Sequence, residues 1–473
     1  MASESYSLGM VGLGVMGANL SLNMAEHGFS VAGLDTDVEK ARAFSAHARS
    51  GAFKVRGFTD AAEFVHTVRT PRAIFILVPA GPPVDAVIHN LLPFLEQGDL
   101  LIDGGNSFYK DTELRSTTLT QKGIQFMGMG ISGGEMGARH GPSLMPGGPL
   151  AAYPLVQPVL EAVAAQVDGQ PCAAYLGPRA AGHYVKMVHN GIEYGLMELI
   201  AESYDLLKRG AGLNDDELHD VFAAWNQTEL NAYLIEISAD IFTRPDPHSR
   251  QRLIDVILDE ARQKGTGMWT SMDAMELAVP APVIDAAVAM RSLSTCKAER
   301  EVASRAFQRP IPSRPGEREN IIAHLKAALY VGMILTFTQG MALLQRASQV
   351  YSYRFHLETV ARIWHGGCII RAALLEKIRA AFAAQPALEN LLMDPAIGDE
   401  VWKRQEALRG IVQLAAELGI PAPAFSASLA YFDALRSPWL PANLIQAQRD
   451  YFGAHSYERI DEKGHFHTRW SKE

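Results

Sequence analysis

The stretch GHYVKMVHNGIEYG at 182–195 places a lysine, a histidine, an asparagine, a glutamate and a tyrosine at helical spacing. At about 100° per residue, Lys186, His189, Asn190, Glu193 and Tyr194 fall within an arc of roughly 140°, with Val185, Val188 and Ile192 opposite. An ordinary amphipathic surface helix is the bland alternative. Solvated faces, however, favour Lys, Glu, Gln and Arg over a mixture of every acid–base type, and Gly191 and Gly195 weaken the helix on entropic grounds. Which reading holds depends on what the rest of the chain brings beside this stripe.

GLGVMG supplies Gly12, Gly14 and Gly17 in the pattern G-x-G-x-x-G, directly between an apolar strand and a helix. That context is what the mechanism requires: a tight turn, close approach of the backbone to a pyrophosphate, and close packing of helix on strand. The uncapped helix start then offers N–H groups and partial positive charge to the phosphates. Leu13, Val15 and Met16 complete the turn. Asp35 follows Gly17 by 18 positions, at the end of the second strand, where an acid binds the adenosine ribose hydroxyls. A carboxylate there repels a 2′-phosphate, and no arginine stands beside it, so the expected cofactor is NAD in preference to NADP. Lys40 is the nearby cation through which NADP would have to be met.

Three further stretches fit one site. DGGNS places Asn106 just beyond the carboxyl end of a strand, where open α/β sheets bind ligands. ISGGEMGA places Ser132, Gly133 and Gly134 in the same relation to the next strand, as small residues able to offer backbone N–H groups to an anion. QKGTGMWT offers Lys264 and Thr266 in a glycine-flanked turn, an anion cradle in form.

The elements that position these residues divide into three parts. Up to residue 178 apolar runs alternate with helical patterns: SLGMVGLG, FSVAGL, AIFILV, DLLIDGG and IQFMGMGISGG read as buried parallel strands of a Rossmann-type, doubly wound α/β domain. The Pro/Gly-rich stretch HGPSLMPGGPL follows, then a helix and a short strand at PCAAYLG. Residues 179–436 read as a large all-α domain, broken at PDPHS and QRPIPSRPGE, and 437–473 as an irregular tail that must lie on something else. The uncharged run AALYVGMILTFTQGMALL at 327–344 nearly has the length of a membrane span, but Thr336, Thr338 and Gln339 favour a helix buried in a bundle.

With 473 residues, 48% apolar content and 20% charge, the chain is expected to be an ordinary globular protein of two or three domains. A net charge of −9 argues against nucleic acid or an anionic membrane as main partner. Cys172, Cys296 and Cys368 are too few and too scattered for a disulfide framework or a zinc ribbon and suit a reducing compartment. The start MASESYS lacks the basic and apolar runs of a signal peptide, so a cytoplasmic location is expected. No metal cluster is expected, and His465 and His467 read as part of a solvated tail.

In the motifs GLGVMG, DGGNS, SGGEMGARHGPSLMPGG, KMVHNGIEYG, QKGTG and LPANLIQAQRDYFGAHSYE the chain resembles, from end to end, the decarboxylating 6-phosphogluconate dehydrogenases. The resemblance implies that Lys186 is the general base for the C3 hydroxyl and Glu193 the acid that protonates the enediol after CO₂ leaves. It assigns Asn106, Ser132, Gly133, Gly134, His189 and Asn190 to the sugar acid, and Tyr194, Lys264, Thr266 and Arg291 to its phosphate. It makes Gly12 to Gly17, Asp35, Thr36, Val78 and Asn106 the cofactor set. It further implies a homodimer in which Arg449 and His455 of the tail reach the other subunit's site. Two departures bear on the cofactor. Many members carry Asn-Arg-Thr where this chain has Asp35-Thr36-Asp37, and the usual lysine before Ala-Gly after the fourth strand is Pro79. Both remove positive charge. The competing expectations are a dehydrogenase of another 3-hydroxy acid, against which the phosphate set argues, and a catalytically silent dinucleotide-binding protein, against which Lys186 and Glu193 argue.

Overall fold

A computed structural model of the chain describes residues 5–50, 53–307 and 314–470. Seven strands form one sheet: β1 (Leu8–Val11), β2 (Val31–Leu34), β3 (Val55–Phe58), β4 (Ala73–Ile76), β5 (Leu100–Asp103), β6 (Gln125–Ser132) and β7 (Ser143–Gly147). Their order is β3-β2-β1-β4-β5-β6-β7, parallel except for β7, which runs antiparallel to β6. The order reverses between β1 and β4, and this crevice is where the Gly12 turn and Val78 emerge. AIFI and LLI of the central strands are shielded completely from solvent, as expected of parallel strands covered on both faces.

Two strands were not expected. β3, VRGF, is a short edge strand whose exposed Arg56 breaks the apolar run. β7 lies inside the Pro/Gly-rich stretch; Pro146 is tolerated because β7 is an edge strand and needs no second ladder of N–H donors. Conversely, PCAAYLG is no full strand. It contributes only Pro171 to a two-residue hairpin and Ala173 to an isolated bridge with Leu144.

Beyond the sheet the chain is helical. The site helix, Ala181–Asp205, is buried on almost every side, including Val185, Val188 and Ile192. Its two internal glycines sit where neighbouring helices come closest, Gly191 against Thr270 and Gly195 against Thr336. The central helix, Arg318–Val350, holds the long apolar run. Among the described residues it alone is long and apolar enough to cross a membrane, and 72% of its most apolar window is buried. Its threonine hydroxyls are satisfied within the helix, Thr336 and Thr338 donating to the carbonyls of Gly332 and Ile334 at 2.8 Å. Gln339 Oε1 accepts from the Val283 amide at 3.0 Å, while its buried Nε2 has no hydrogen-bond partner among the described residues.

The compact units of the structure have other borders than the expected domains, which end at 178 and 436. Residues 1–428 form one compact unit and 429–473 a second. The physical reason for the first difference is that the site helix packs straight onto the sheet. A Cβ on Gly130 of β6 would collide with the Lys186 side chain, and one on Gly147 of β7 with the Gly182 amide, so the site helix lies directly against the sheet. As for the second, the division falls inside the helix Pro423–Leu435, whose first amides, Ala424 and Phe425, are held by the buried Glu202 carboxylate at 2.6 and 3.0 Å.

The second unit has more order than an irregular tail. Its helix Ala442–Gly453 ends beside a bridge between Tyr457 and Phe466. Asp450 is wholly buried and accepts from the Ser456 and Thr468 amides and the Trp470 indole at 2.9, 3.0 and 2.8 Å. His467 is thus not simply solvated: its Nδ1 lies 2.9 Å from the same carboxylate, while His465 is exposed.

Candidate active site

The dinucleotide end follows from glycine. Gly12 has φ +93°, and a Cβ there would strike the Leu77 carbonyl, while one on Gly17 would strike the Gly12 carbonyl. Gly14 by contrast faces open space, so a pyrophosphate can approach its backbone. The helix Val15–Glu26 begins there without a side-chain cap or an acidic residue in its first turn, leaving its dipole and N–H groups for an anion. Asp35 accepts the Leu13 amide on Oδ2 at 2.8 Å and the Asp37 amide on Oδ1 at 2.9 Å. Each carboxylate oxygen keeps a lone pair for a ribose hydroxyl.

A cleft of about 350 Å³ opens beside these residues, lined by Gly12, Asp35, Thr36 and Val78 together with Thr59, Pro79, Pro83 and Asn90. Thr59, Pro83 and Asn90 had no signal in the sequence that set them apart. The described residues lining the cleft include no lysine, arginine or histidine. Lys40 is half-exposed, with its ammonium 3.8 Å from Asp37. These residues fit a nicotinamide dinucleotide.

Asn106 is exposed at the tip of the turn after β5. The turn is pinned by the buried Asp103, which accepts from the Gly105 amide at 3.0 Å and the Ser107 hydroxyl at 2.6 Å. After β6, Ser132 is buried, and Gly133 has φ +119° and approaches the Gly367 carbonyl so closely that no Cβ fits. Gly134 follows at φ +62° with open space beside it.

The polar stripe of the site helix meets these turns. Ser132 Oγ lies 3.1 Å from His189 Nε2, and His189 Nδ1 lies 3.0 Å from Asn190 Oδ1. Asn190 Nδ2 donates to Thr266 Oγ1 at 3.0 Å, and Glu193 comes within 3.8 Å of His189 Nδ1. Ser132, His189, Asn190 and Thr266 are therefore one hydrogen-bonded chain running from the sheet to the Thr266–Glu276 helix. Lys186 is buried behind Gly130. Burial pushes its ammonium below the ordinary lysine range against the opposing pull of Glu193. Burial likewise raises Glu193, against the opposing pull of Lys186 and Arg291. His189 is held well below the usual imidazole value by burial and then by Lys186. A lysine readily neutral, a glutamate readily protonated and a neutral imidazole on one face can exchange protons with a bound hydroxyl, keto group and carbanion.

At the far end, the Arg291 guanidinium stacks 3.6 Å from the centre of the Tyr194 ring and donates to the Arg262 carbonyl at 3.3 Å. Lys264 is exposed, and Gly265 turns at φ +100° into the helix that Thr266 begins. Arg449 and His455 lie exposed in the second unit, where Arg449 donates to Gln446 at 3.0 Å. Sequence reasoning missed the loop Trp364–Ile369 behind the site. There the Ile369 amide donates to Ser132 Oγ at 3.3 Å and the Trp364 ring meets His189 edge-on at 5.6 Å. It also missed Asp103. No group of three or more His, Cys, Asp or Glu is placed to hold a metal among the described residues.

Two family models match along the chain: the NAD binding domain of 6-phosphogluconate dehydrogenase over residues 7–177, and the 6-phosphogluconate dehydrogenase C-terminal domain over residues 182–470. The chain is 54% identical over 473 residues to a decarboxylating 6-phosphogluconate dehydrogenase of Synechococcus elongatus, covering 99% of this chain and 100% of that one. It is 50% identical over 470 residues to an NADP(+)-dependent, decarboxylating 6-phosphogluconate dehydrogenase of Bacillus subtilis, covering 99% and 100%. Among solved structures it superposes on 6-phosphogluconate dehydrogenase of Plasmodium falciparum, determined in its apo form and with NADP+ and 6-phosphogluconate. That match has a TM-score of 0.95 and 43% identity over 98% of this chain and 100% of the other. With matching models over both halves and relatives of this identity along its full length, the chain belongs to the 6-phosphogluconate dehydrogenase family.

Proposed function

We propose that this protein converts 6-phospho-D-gluconate to D-ribulose 5-phosphate and CO₂ with NAD(P), NAD being favoured. The observation that carries the reading is the buried Lys186 and the part-buried Glu193 on one face of the site helix, each shifted toward its neutral form, beside the Ser132–His189–Asn190–Thr266 chain. The dinucleotide, when bound, takes the hydride from C3. Neutral Lys186 accepts the C3 hydroxyl proton as that hydride leaves. The same ammonium returns the proton to the new carbonyl oxygen as the carboxylate departs as CO₂, the 3-keto group serving as electron sink. Glu193 then gives a proton to the enediol carbon that becomes C1 of the product, while Lys186, neutral again, takes the proton of the neighbouring hydroxyl so that the ketone re-forms. Asn106, Ser132, Gly133, Gly134, His189 and Asn190 hold the sugar acid; Tyr194, Lys264, Thr266 and Arg291 hold its phosphate.

The NAD preference rests on Asp35, Pro79 and a cleft without cationic lining. The homodimer rests on the second unit, where Trp439, Leu440, Leu444, Ile445 and Phe452 present apolar surface to solvent and suit a partner subunit. In that arrangement Arg449 and His455 serve the neighbour's site. Free thiols at Cys172, Cys296 and Cys368 suit the cytoplasm.

The test is Lys186→Met. Reduction of NAD with 6-phosphogluconate should stop, while NAD binding by titration calorimetry stays measurable; surviving turnover would remove Lys186 as the base. Mixing Lys186→Met with Arg449→Ala subunits should restore part of the activity if the tail serves the partner's site. No recovery would confine Arg449 to its own subunit.

A further inference from the structure

The helix Thr266–Glu276 is tied to the site helix by a polar stripe at i, i+4 and i+7. Thr266 takes the Asn190 amide at 3.0 Å, Thr270 Oγ1 donates to the Met187 carbonyl at 2.8 Å, and Asp273 accepts the Tyr184 hydroxyl. The partners step back along the site helix as 190, 187 and 184, so the two helices are zipped antiparallel, with the substrate set at one end and Asp273 at the other. Asp273 is buried and takes two more hydroxyls, Tyr109 at 2.6 Å and Tyr351 at 2.9 Å. No arginine, lysine or histidine forms an ion pair with it among the described residues. A buried carboxylate whose partners are three phenols is strongly oriented by them, because any lost donor leaves charge uncompensated.

Tyr109 is what gives this node a consequence for the reaction. It opens the helix after β5, three positions past Asn106, so its hydroxyl anchors the turn that presents Asn106. Asp273 therefore joins two sets of groups. One is the Asn106 turn of the nucleotide-binding part. The other is the pair of helices that carry Lys186, Asn190 and Thr266.

We infer that Asp273, through Tyr109, is a positioning residue for hydride transfer, setting the distance between the Asn106 turn and the helices that hold the sugar acid. The inference rests on the reaction proposed above. Tyr109→Phe keeps the ring, which packs against Phe108 and Tyr184 at 5.1 and 5.0 Å between centroids, and removes only the hydroxyl. Misplacement of reacting groups by 1 Å costs about 10²-fold in rate, and a smaller displacement correspondingly less. Tyr109→Phe should thus lower kcat about fivefold to tenfold, and Asp273→Asn about 10²-fold. In both, the deuterium isotope effect with 6-phosphogluconate labelled at C3 should rise, while the Kd of NAD alone, set mainly around Asp35, should change by less than kcat does.

A purely structural role would lower Tm and leave kcat, KM and the isotope effect at wild-type values; that result overturns the inference. If Asp273→Asn does not fold, Tyr109→Phe decides alone. A wild-type chain that fails to reduce NAD or NADP with 6-phosphogluconate refutes the proposed reaction and this inference together. Wild-type turnover that Tyr109→Phe leaves untouched refutes only the latter.

Discussion

Replacing Asp35 by Asn should narrow the gap between NAD and NADP, and adding Thr36→Arg should close or reverse it. The 2′-phosphate of NADP carries roughly −1.5 charges. Held about 5 Å from the Asp35 carboxylate it is repelled by roughly 1 to 5 kcal/mol as the effective dielectric falls from water to protein. Asp35 is only part-buried, which favours the low end, near 2 kcal/mol. Loss of the hydroxyl-to-carboxylate hydrogen bond adds about 1.5 kcal/mol. Together these amount to roughly 400-fold in kcat/KM in favour of NAD. Asparagine removes the repulsion but keeps a carbonyl oxygen for the Leu13 or Asp37 amide, so the fold survives and the ratio should fall about 30-fold. Thr36 is exposed, and an arginine there can pair the phosphate for about another tenfold. The assay is initial-rate reduction of NAD and NADP at saturating 6-phosphogluconate for the three proteins. A wild type that favours NADP, or an Asp35→Asn variant whose ratio does not move, would refute the electrostatic reasoning.

Three further outcomes are expected. The acid limb of the kcat/KM–pH profile should report Lys186 at a value below ordinary lysine and the alkaline limb Glu193 above ordinary glutamate, because Lys186 must be neutral and Glu193 protonated. Glu193→Gln should remove the alkaline limb and about 10²–10⁴ of kcat, and an unchanged profile would contradict the assignment. Gly130→Ala should disable turnover far more than NAD binding, since the new methyl takes the space of the Lys186 side chain; wild-type kcat in this variant would show that Lys186 has room to move. Glu202 is pushed up to about 8, chiefly by burial. A raised carboxyl means that the folded state keeps a proton the unfolded state has lost. Wild-type stability should therefore fall as pH rises from the ordinary glutamate range to about 8, by up to about 1.4 kcal/mol per pH unit. Glu202→Gln should reduce that slope in denaturant titrations, most of all between about pH 7 and 8, and an unchanged slope would place its origin elsewhere.

How much was legible varied with how local the signal was. The GLGVMG turn could be read because strand end, turn and helix start lie within one β-α-β stretch whose geometry follows from glycine and strand length. The central strands could be read because burial on both faces leaves only apolar residues. β3 and β7 could not, since edge strands tolerate Arg56 and Pro146 and lose the periodic signal. The stripe from Lys186 to Tyr194 stood out as a pattern, yet a pattern does not say what lies opposite it. Asp103 and Asp273 carried no sequence signal, because an aspartate that pins a turn or gathers three hydroxyls looks like any other until its partners arrive.

The residue types for acid–base chemistry, the nucleotide turn and the alternation of strands and helices are thus properties of the sequence itself. They rest on spacings of a few residues, over which backbone geometry is nearly determined. The tertiary structure decided the rest. It buried Lys186 against Gly130, and so moved its protonation. It joined Ser132 to Thr266 across 134 positions through His189 and Asn190, and brought Tyr109 to Asp273 across 164. It laid the site helix directly against β6 and β7. Each of these depends on which surfaces exclude water together, and dielectric environment and long-range contact are set by packing between segments that no local pattern connects.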